Sequence, residues 1–325
     1  MLVSILIPCF NAERWIAQAI QSALGQTWAE KEVIVVDDGS RDGSLNIIKG
    51  FGERIRWETG PNRGANVARN RLLELARGEW LHYLDADDYL LPLKIEKQMR
   101  FLKEHPECDI LCSPMRVVHC SDHGVIEGEV LAIPEFHDPW TLLAQWRLSP
   151  AGGSLWKREA LIRVNGWKPD QPCCQEFELY LRLLQSGARF CYFEECHAVY
   201  RHFSNQVTVR TKDPAEWRKR RLEINDRMEQ FLRTKGELTP GRLQAMNQAR
   251  FAIARMIWLQ DPASANQIVQ EIQQCQPGFV PEPPSARGSY QWIYRAFGFE
   301  VAERIAACKR FFAGRAEGAI PRPGN

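Results

Sequence analysis

Three apolar runs near the start of the chain each end on a cluster of polar or acidic side chains, and this repeated unit leaves few folds open. Leu2–Ile7 leads into Pro8-Cys9-Phe10-Asn11. Val33–Val36 leads into Asp37-Asp38-Gly39-Ser40, and Trp80–Leu84 into Asp85-Ala86-Asp87-Asp88. The runs are short and apolar, the first two rich in β-branched residues, so they read as strands, and the segments between them carry helical spacing. Glu13–Leu24 puts Trp15, Ile16, Ala19, Ile20 and Ala23 on one side. Leu45–Phe51 is a short helix and Ile55–Glu58 a weaker strand. Ala65–Ala76 is a helix with Gly78 just beyond it, and Leu93–Glu104 a helix that stops before Pro106. Continuous apolar strands alternating with helices predict an α/β fold, a mostly parallel sheet with helices on both faces. Ligands bind such sheets beyond the carboxyl ends of the strands. That edge is where this chain gathers its acids.

The later segments are less regular. Asp109–Val118 reads as a strand and Val125–Ile133 as a hairpin arm or loop. Thr141–Trp146 and Lys157–Arg163 are short helices. Glu176–Gln185 is a helix closed by Gly187, and Arg189–Phe193 and Ala198–Arg201 are strands. Ala215–Lys235 and Leu243–Gln260 are helical, Pro277–Pro284 is a proline-rich linker, and Tyr290–Ala313 is an amphipathic helix or helix pair.

The bulk properties exclude several classes. A chain of 325 residues with a formal charge of +2 gives no reason to expect a nucleic-acid partner. No stretch approaches the roughly 18 apolar residues of a membrane span, and the start lacks the basic, apolar pattern of a leader, so a cytoplasmic protein is expected. The ten cysteines have no regular spacing. Cys108, Cys112, Cys120, His119 and His123 cluster, but without a Cys-x-x-Cys pair, and ordinary thiols are the better account.

The acids after the third run carry the chemistry. A lone Asp at a strand end often caps the next helix, and Asp37-Asp38-Gly39-Ser40 taken alone could be a turn. Asp85, Asp87 and Asp88 are harder to explain so. Carboxylates packed this closely repel one another, and a divalent cation relieves the repulsion. Hard oxygen donors suit Mn²⁺ or Mg²⁺, whose shells are usually completed by phosphate oxygens and water. Neither a Gly-x-x-x-x-Gly-Lys-Ser/Thr loop nor a Gly-x-Gly-x-x-Gly after the first strand is present, which argues against P-loop hydrolysis and ordinary dinucleotide binding. A receiver domain would leave the last two-thirds of the chain without a purpose.

Ile7-Pro8-Cys9-Phe10-Asn11-Ala12-Glu13, Val35-Val36-Asp37-Asp38-Gly39-Ser40, Asn62-Arg63-Gly64 with Ala68-Arg69-Asn70, and Leu84-Asp85-Ala86-Asp87-Asp88 follow in order. Asn165-Gly166-Trp167 and Glu178-Leu179-Tyr180-Leu181-Arg182-Leu183-Leu184 come later. In this order the motifs resemble family 2 of the inverting nucleotide-sugar glycosyltransferases, with the GT-A fold, from about Val3 to Thr208. The resemblance implies a sugar moved from a nucleoside diphosphate, most simply a UDP-sugar, to an acceptor hydroxyl in polysaccharide or glycoconjugate synthesis, with a carbohydrate or lipid-linked acceptor. It implies a GT-A domain over 1–210, with a nucleotide-binding half (1–105) and an acceptor half (106–210). A helical extension (211–275) and a final segment of linker and amphipathic helix (276–325) follow.

The resemblance also implies roles. Pro8, Phe10 and Asn11 line the base pocket, with Phe10 as a stacking face. Asp38 accepts from the base ring N–H while Asp37 holds the loop. Asp85 and Asp87 match the family's Asp-x-Asp motif, one toward the ribose and one toward Mn²⁺ or Mg²⁺. Arg69 sits near the nucleotide or pairs with the acids. The family usually presents Glu-Asp before the last motif, with that Asp as base. Here the pair is Gln175-Glu176, so Glu176 takes the base position with one extra methylene, and Glu178 is the nearby alternative. His202 falls in a segment resembling the family's closing loop and is either a third metal ligand or a structural side chain. Gly152, Gly153 and Trp156 either shape the acceptor side or form a plain loop. Two rivals stand beside this expectation: a glycoside hydrolase using two carboxylates, and a nucleotide-sugar-binding protein with weak or no catalysis. The last helix, with Trp292, Phe297, Ile305, Arg295, Arg304 and Lys309, suits either a membrane surface at the inner face or packing against protein.

Overall fold

The computed structural model describes residues 1–121, 124–133, 138–203, 213–283 and 285–317. Two compact units emerge, Met1–Ile224 and Asn225–Asn325.

The first unit is built on a seven-stranded sheet. Its strands are β1 (Val3–Cys9), β2 (Lys31–Asp37), β3 (Arg56–Thr59), β4 (Trp80–Tyr83), β6 (Ile110–Cys112), β9 (Leu155–Lys157) and β10 (Phe190–Tyr192), in the order β10-β6-β9-β4-β1-β2-β3. β1 pairs in parallel with β2 and β4, and β2 with β3. β9 alone runs against its neighbours, β4 and β6. The expected α/β architecture, mostly parallel with helices on both faces, is therefore what the chain adopts.

Side-chain alternation along β1 divides the core. Val3, Ile5, Ile7 and Cys9 join one cluster with Ile16, Ala19, Ile20 and Ala23 of helix α1 (Ile16–Leu24), Ile48 of α2 (Ser44–Gly50) and Ile95, Met99 and Leu102 of α4 (Lys94–Glu104). Helix α3 (Ala65–Leu75) packs on β1 and β2 outside that cluster. Both faces are covered, so strand residues of either parity can be apolar, and this is why the runs in the sequence are continuous rather than alternating.

The strand expected over Asp109–Val118 is two strands. β6 ends at Cys112, and β7 (Met115–Ser121) belongs to a second sheet, ordered β5-β11-β7-β8 with β5 (Tyr89–Leu90), β8 (Gly124–Leu131) and β11 (Ala198–Phe203). Pro114 sits at the break, where a residue without an N–H cannot continue a ladder. β8 pairs antiparallel with β7, making the expected hairpin arm a strand. β11 is parallel to β7 and antiparallel to β5.

Gly152, Gly153 and Trp156, expected near an acceptor or in a plain loop, are packed interior instead. A Cβ on Gly153 would lie 1.9 Å from Ser149 Oγ, and Trp156 is buried with its ring stacked 5.0 Å from Tyr180. Below them Lys94 is buried, donating to Gln98 Oε1 at 2.7 Å and to the Gly153 carbonyl at 3.4 Å. Cys108, Cys112 and Cys120 are buried free thiols, while His123 lies outside the described residues.

The chain leaves the first unit within a helix spanning Pro214–Lys235. Three more helices follow, Pro240–Ile257, Pro262–Cys275 and Ser289–Glu317. The helix Pro262–Cys275 falls within the helical extension expected over 211–275, although no separate helix was placed there. Its signals are present in the sequence, though: Asp261 accepts from the Ser264 N–H at 3.0 Å as N-cap, Pro262 follows it, and Ala265, Val269 and Ile272 form the buried stripe. The last helix is a pair, broken where Gly298 adopts φ +81°.

Candidate active site

The loops after β1, β2 and β4 enclose a cleft of about 950 Å³. Local hydrogen bonds tie the first two together. The Asn11 amide donates to Ser40 Oγ at 2.9 Å, the Ala12 amide to Ser44 Oγ at 2.8 Å, and the Gly43 amide to Glu13 Oε2 at 2.6 Å. Asn11 side-chain oxygen accepts from the Arg41 amide at 2.8 Å while its backbone holds φ +49°, a left-handed conformation that asparagine tolerates better than most residues.

Both aspartates after β2 are engaged. Asp37 accepts from the Thr59 hydroxyl at 2.6 Å and the Ser40 amide at 3.3 Å. Asp38 accepts from the Arg63 amide at 2.8 Å and the Gly64 amide at 2.9 Å, one on each oxygen. Gly64 precedes α3, so this carboxylate also satisfies an orphan N–H at a helix start and faces the positive end of its dipole. Each oxygen keeps a second lone pair, and Asp38 still lines the cleft.

Arg69 of α3 is buried beneath this floor. It pairs with Asp85 Oδ1 at 3.0 Å, donates to Gln175 Oε1 at 2.8 Å and lays its guanidinium 4.8 Å from the Trp167 ring. Asn70, the next residue, exchanges two hydrogen bonds with the Trp167 backbone, at 2.7 and 2.8 Å. The motifs Ala68-Arg69-Asn70 and Asn165-Gly166-Trp167 are therefore one structural unit. Gly166 belongs to it because its φ is +61° and a Cβ there would approach Asn70 Oδ1 to 2.5 Å.

The acids differ in their surroundings. Asp88 is buried and accepts from the Arg201 amide at 2.8 Å. Burial and the neighbouring carboxylates push its carboxyl well above the usual range. Asp87 has no side-chain partner among the described residues, and burial, with Asp85 beside it, raises it to about 6. A cleft carboxyl held up in this way, next to a second carboxylate, is a donor set short of positive charge. It fits a divalent cation that takes its remaining ligands from phosphate and water. Among the described residues no group of three His, Cys, Asp or Glu side chains gathers around a common point. His202 instead sets its ring edge-on to His119, with centroids 5.3 Å apart.

Seven of the nine expected site residues line the cleft: Pro8, Phe10, Asn11, Asp38, Arg69, Asp85 and Asp87. His202 and Glu176 do not. Phe10 is 47% exposed, a free aromatic face beside the opening. Gln175, the residue before Glu176, reaches the lining. Both open the helix Gln175–Gln185, whose N-cap, Cys174, is held at φ +58°. Glu176 carries no side-chain hydrogen bond among the described residues. Burial raises its carboxyl, opposed by the attraction of Arg69. Glu178 points elsewhere, buried and paired with Arg182 at 2.8 Å.

Sequence reasoning missed Arg201. It is buried, with its guanidinium 4.6 Å from the Trp15 ring and 4.7 Å from Tyr89. It donates to the Asp87 carbonyl at 2.5 Å and to Gln18 Oε1. No local signal in the sequence marks it, because every partner is distant along the chain.

Residues 4–146 match the family described as Glycosyl transferase family 2. An uncharacterized glycosyltransferase of Haemophilus influenzae is 39% identical over 108 residues, 32% of this chain and 43% of that protein. Chondroitin synthase of Pasteurella multocida is 39% identical over 107 residues, 32% of this chain and 11% of that one. The chain thus spans less than half the length of these curated relatives. Among solved structures, S. aureus TarS 1-349 in complex with UDP-GlcNAc superposes with a TM-score of 0.57 at 15% identity, covering 95% of this chain and 92% of that one. The shared fold is GT-A.

Proposed function

We propose that this chain, whose residues 4–146 match the family described as Glycosyl transferase family 2, transfers a sugar from a nucleoside diphosphate to an acceptor hydroxyl with inversion at the anomeric carbon. The observation that carries this is the pair Asp85 and Asp87 at the cleft, one bound to Arg69 and the other lacking a side-chain partner among the described residues. The donor in this reading is a UDP-sugar, supported by TarS, which has the same fold and was crystallised with UDP-GlcNAc.

Phe10 offers its exposed face to the base, and Asp38 the free lone pairs of its fixed carboxylate to a ring N–H. Asp85, steered by Arg69, meets the ribose. Asp87, with Asp85, would hold Mn²⁺ or Mg²⁺, which when bound supplies positive charge where the diphosphate leaves. Glu176 takes the proton of the acceptor hydroxyl. The oxygen attacks the anomeric carbon from the side opposite the diphosphate, the bond to the leaving oxygen breaks, and the configuration inverts. Holding donor and acceptor in line supplies much of the acceleration. A carbohydrate or lipid-linked acceptor, in polysaccharide or glycoconjugate assembly on the cytoplasmic side, completes the reading.

Calorimetric titration of UDP with Mn²⁺, then with EDTA, repeated on Asp87→Ala, tests it. Binding that needs both the metal and Asp87 supports the transferase, whereas no binding in any condition sinks it. The Gln175-Glu176 pair favours one alternative, a nucleotide-sugar-binding protein with little or no turnover. Metal-dependent UDP binding without donor consumption across an acceptor screen would favour that alternative.

A further inference from the structure

The second unit carries an apolar face that its own core does not use. Tyr290, Tyr294, Phe299 and Ala302 turn inward, packing with Phe251 and Trp258, and Glu303 is buried against Arg255 and Tyr290. The opposite side exposes Trp292 (64%), Phe297 (60%), Val301 and Ile305. These are four of the thirteen large hydrophobic side chains that stand exposed among the described residues, gathered within fourteen positions. Trp292 and Phe297 touch, with ring centroids 6.0 Å apart. Val301, Ile305 and Cys308 recur at helical spacing beyond the Gly298 break, and Phe297 stands immediately before it. Lys309 Nζ reaches Ser289 Oγ at 3.2 Å, which ties the far end of the second segment to the start of the first.

The rim of this face is cationic. Arg287, Arg295, Arg304 and Lys309 are exposed, against a single exposed acid, Glu300, in the same stretch. Arg304, Ile305, Cys308 and Lys309 line a shallow trough of about 420 Å³. Aromatic and aliphatic side chains ringed by Arg and Lys are the composition of an interfacial helix. Its apolar face enters the acyl boundary while the long cationic side chains reach the headgroups. A second copy is a poorer occupant, since a self-complementary contact would bring one cationic rim against another. No helix among the described residues is long and apolar enough to cross a membrane, so the contact lies on the surface.

We propose that the exposed face of residues 289–309 docks on an anionic lipid bilayer. Trp292 and Phe297 insert, and Arg295, Arg304 and Lys309 pair with lipid phosphates. This stands independently of the transferase reading, because UDP binding can fail without affecting it. The test is co-sedimentation of the full chain with vesicles of phosphatidylcholine alone and of phosphatidylcholine mixed with phosphatidylglycerol, at low and high salt. Trp292→Ser/Phe297→Ser and Arg295→Glu/Arg304→Glu are run alongside, with circular dichroism to confirm folding. Binding to anionic vesicles only, dispersed by salt and reduced at least about tenfold in each double variant, is expected. Absence of vesicle binding, or binding that neither variant weakens, overturns the proposal. So does a concentration-dependent dimer in analytical ultracentrifugation that Trp292→Ser/Phe297→Ser abolishes without any vesicle binding, which would give the face to a second copy.

Discussion

The Arg201 guanidinium donates to the main-chain carbonyl of Asp87 at 2.5 Å. Its own amide meanwhile holds the Asp88 carboxyl, and its plane lies against Trp15 and Tyr89. One side chain from β11 thus fixes the turn that carries the acids of the cleft. Arg201→Met keeps some of the packing and loses the fork. It is expected to lower stability by about 1.5–3 kcal/mol and to weaken metal-dependent UDP binding at least tenfold. Arg201→Lys should not rescue binding, since an ammonium cannot stack and donate along two directions in one plane. Calorimetry and urea unfolding on both variants check this.

Arg69 pairs with Asp85 from a buried position, whereas the Asp85 side chain is 36% exposed. Breaking a fully buried pair costs about 3–5 kcal/mol, and solvent at Asp85 reduces that. Arg69→Met should therefore destabilise by roughly 2–3 kcal/mol. UDP affinity should fall as well, because Asp85 is then unsteered. A variant that unfolds like the wild type would show that the pair is not structural.

Burial holds the Glu176 carboxyl above its usual range despite Arg69. A general base works only when ionised, so kcat/KM should fall as pH drops through a value higher than the ~4.3 of a free glutamate. Glu176→Gln should cost about 10²–10⁴-fold in rate and remove that acid limb, while leaving UDP binding in place. A pH–rate profile unchanged in Glu176→Gln would hand the proton to another group.

Burial pulls the Lys94 ammonium down to about 7, against ~10.4 in an unfolded chain. Between these values the unfolded chain carries a proton that the folded chain lacks. Stability contributed through this site therefore rises as pH increases across the window and falls as pH drops toward 7. Wild type should gain on the order of 4 kcal/mol over that range relative to Lys94→Met. Urea titrations of both proteins at the two ends measure the difference.

The central strands and their acidic turns were legible because a strand buried on both faces must be apolar throughout and must end where polar atoms can face a ligand. The same logic reaches six of the cleft residues, Pro8, Phe10, Asn11, Asp38, Asp85 and Asp87, whereas Arg69 lies on α3 and was marked only by the resemblance. Legibility ended where partners are distant. Asp38 fastens a loop 25 residues away, and Arg201 grips a turn 114 residues before it, relations that no local pattern encodes. The break at Pro114 was readable but overlooked within an otherwise apolar stretch. The helix Pro262–Cys275 was covered only by the broad helical extension expected over 211–275, although its cap and its proline mark where it starts.

β5 begins at Tyr89, two residues after Asp87, and pairs at once with β11, where Val199 faces Tyr89 two positions before Arg201. In a strand, one added or deleted residue turns every side chain to the other face. An insertion between Asp87 and Tyr89 would thus take the Tyr89 ring off Arg201 even with every side chain of the cleft unchanged. The short span from Asp87 to Tyr89 works as a ruler. Its length, more than the identity of the residues within it, sets where the acids stand.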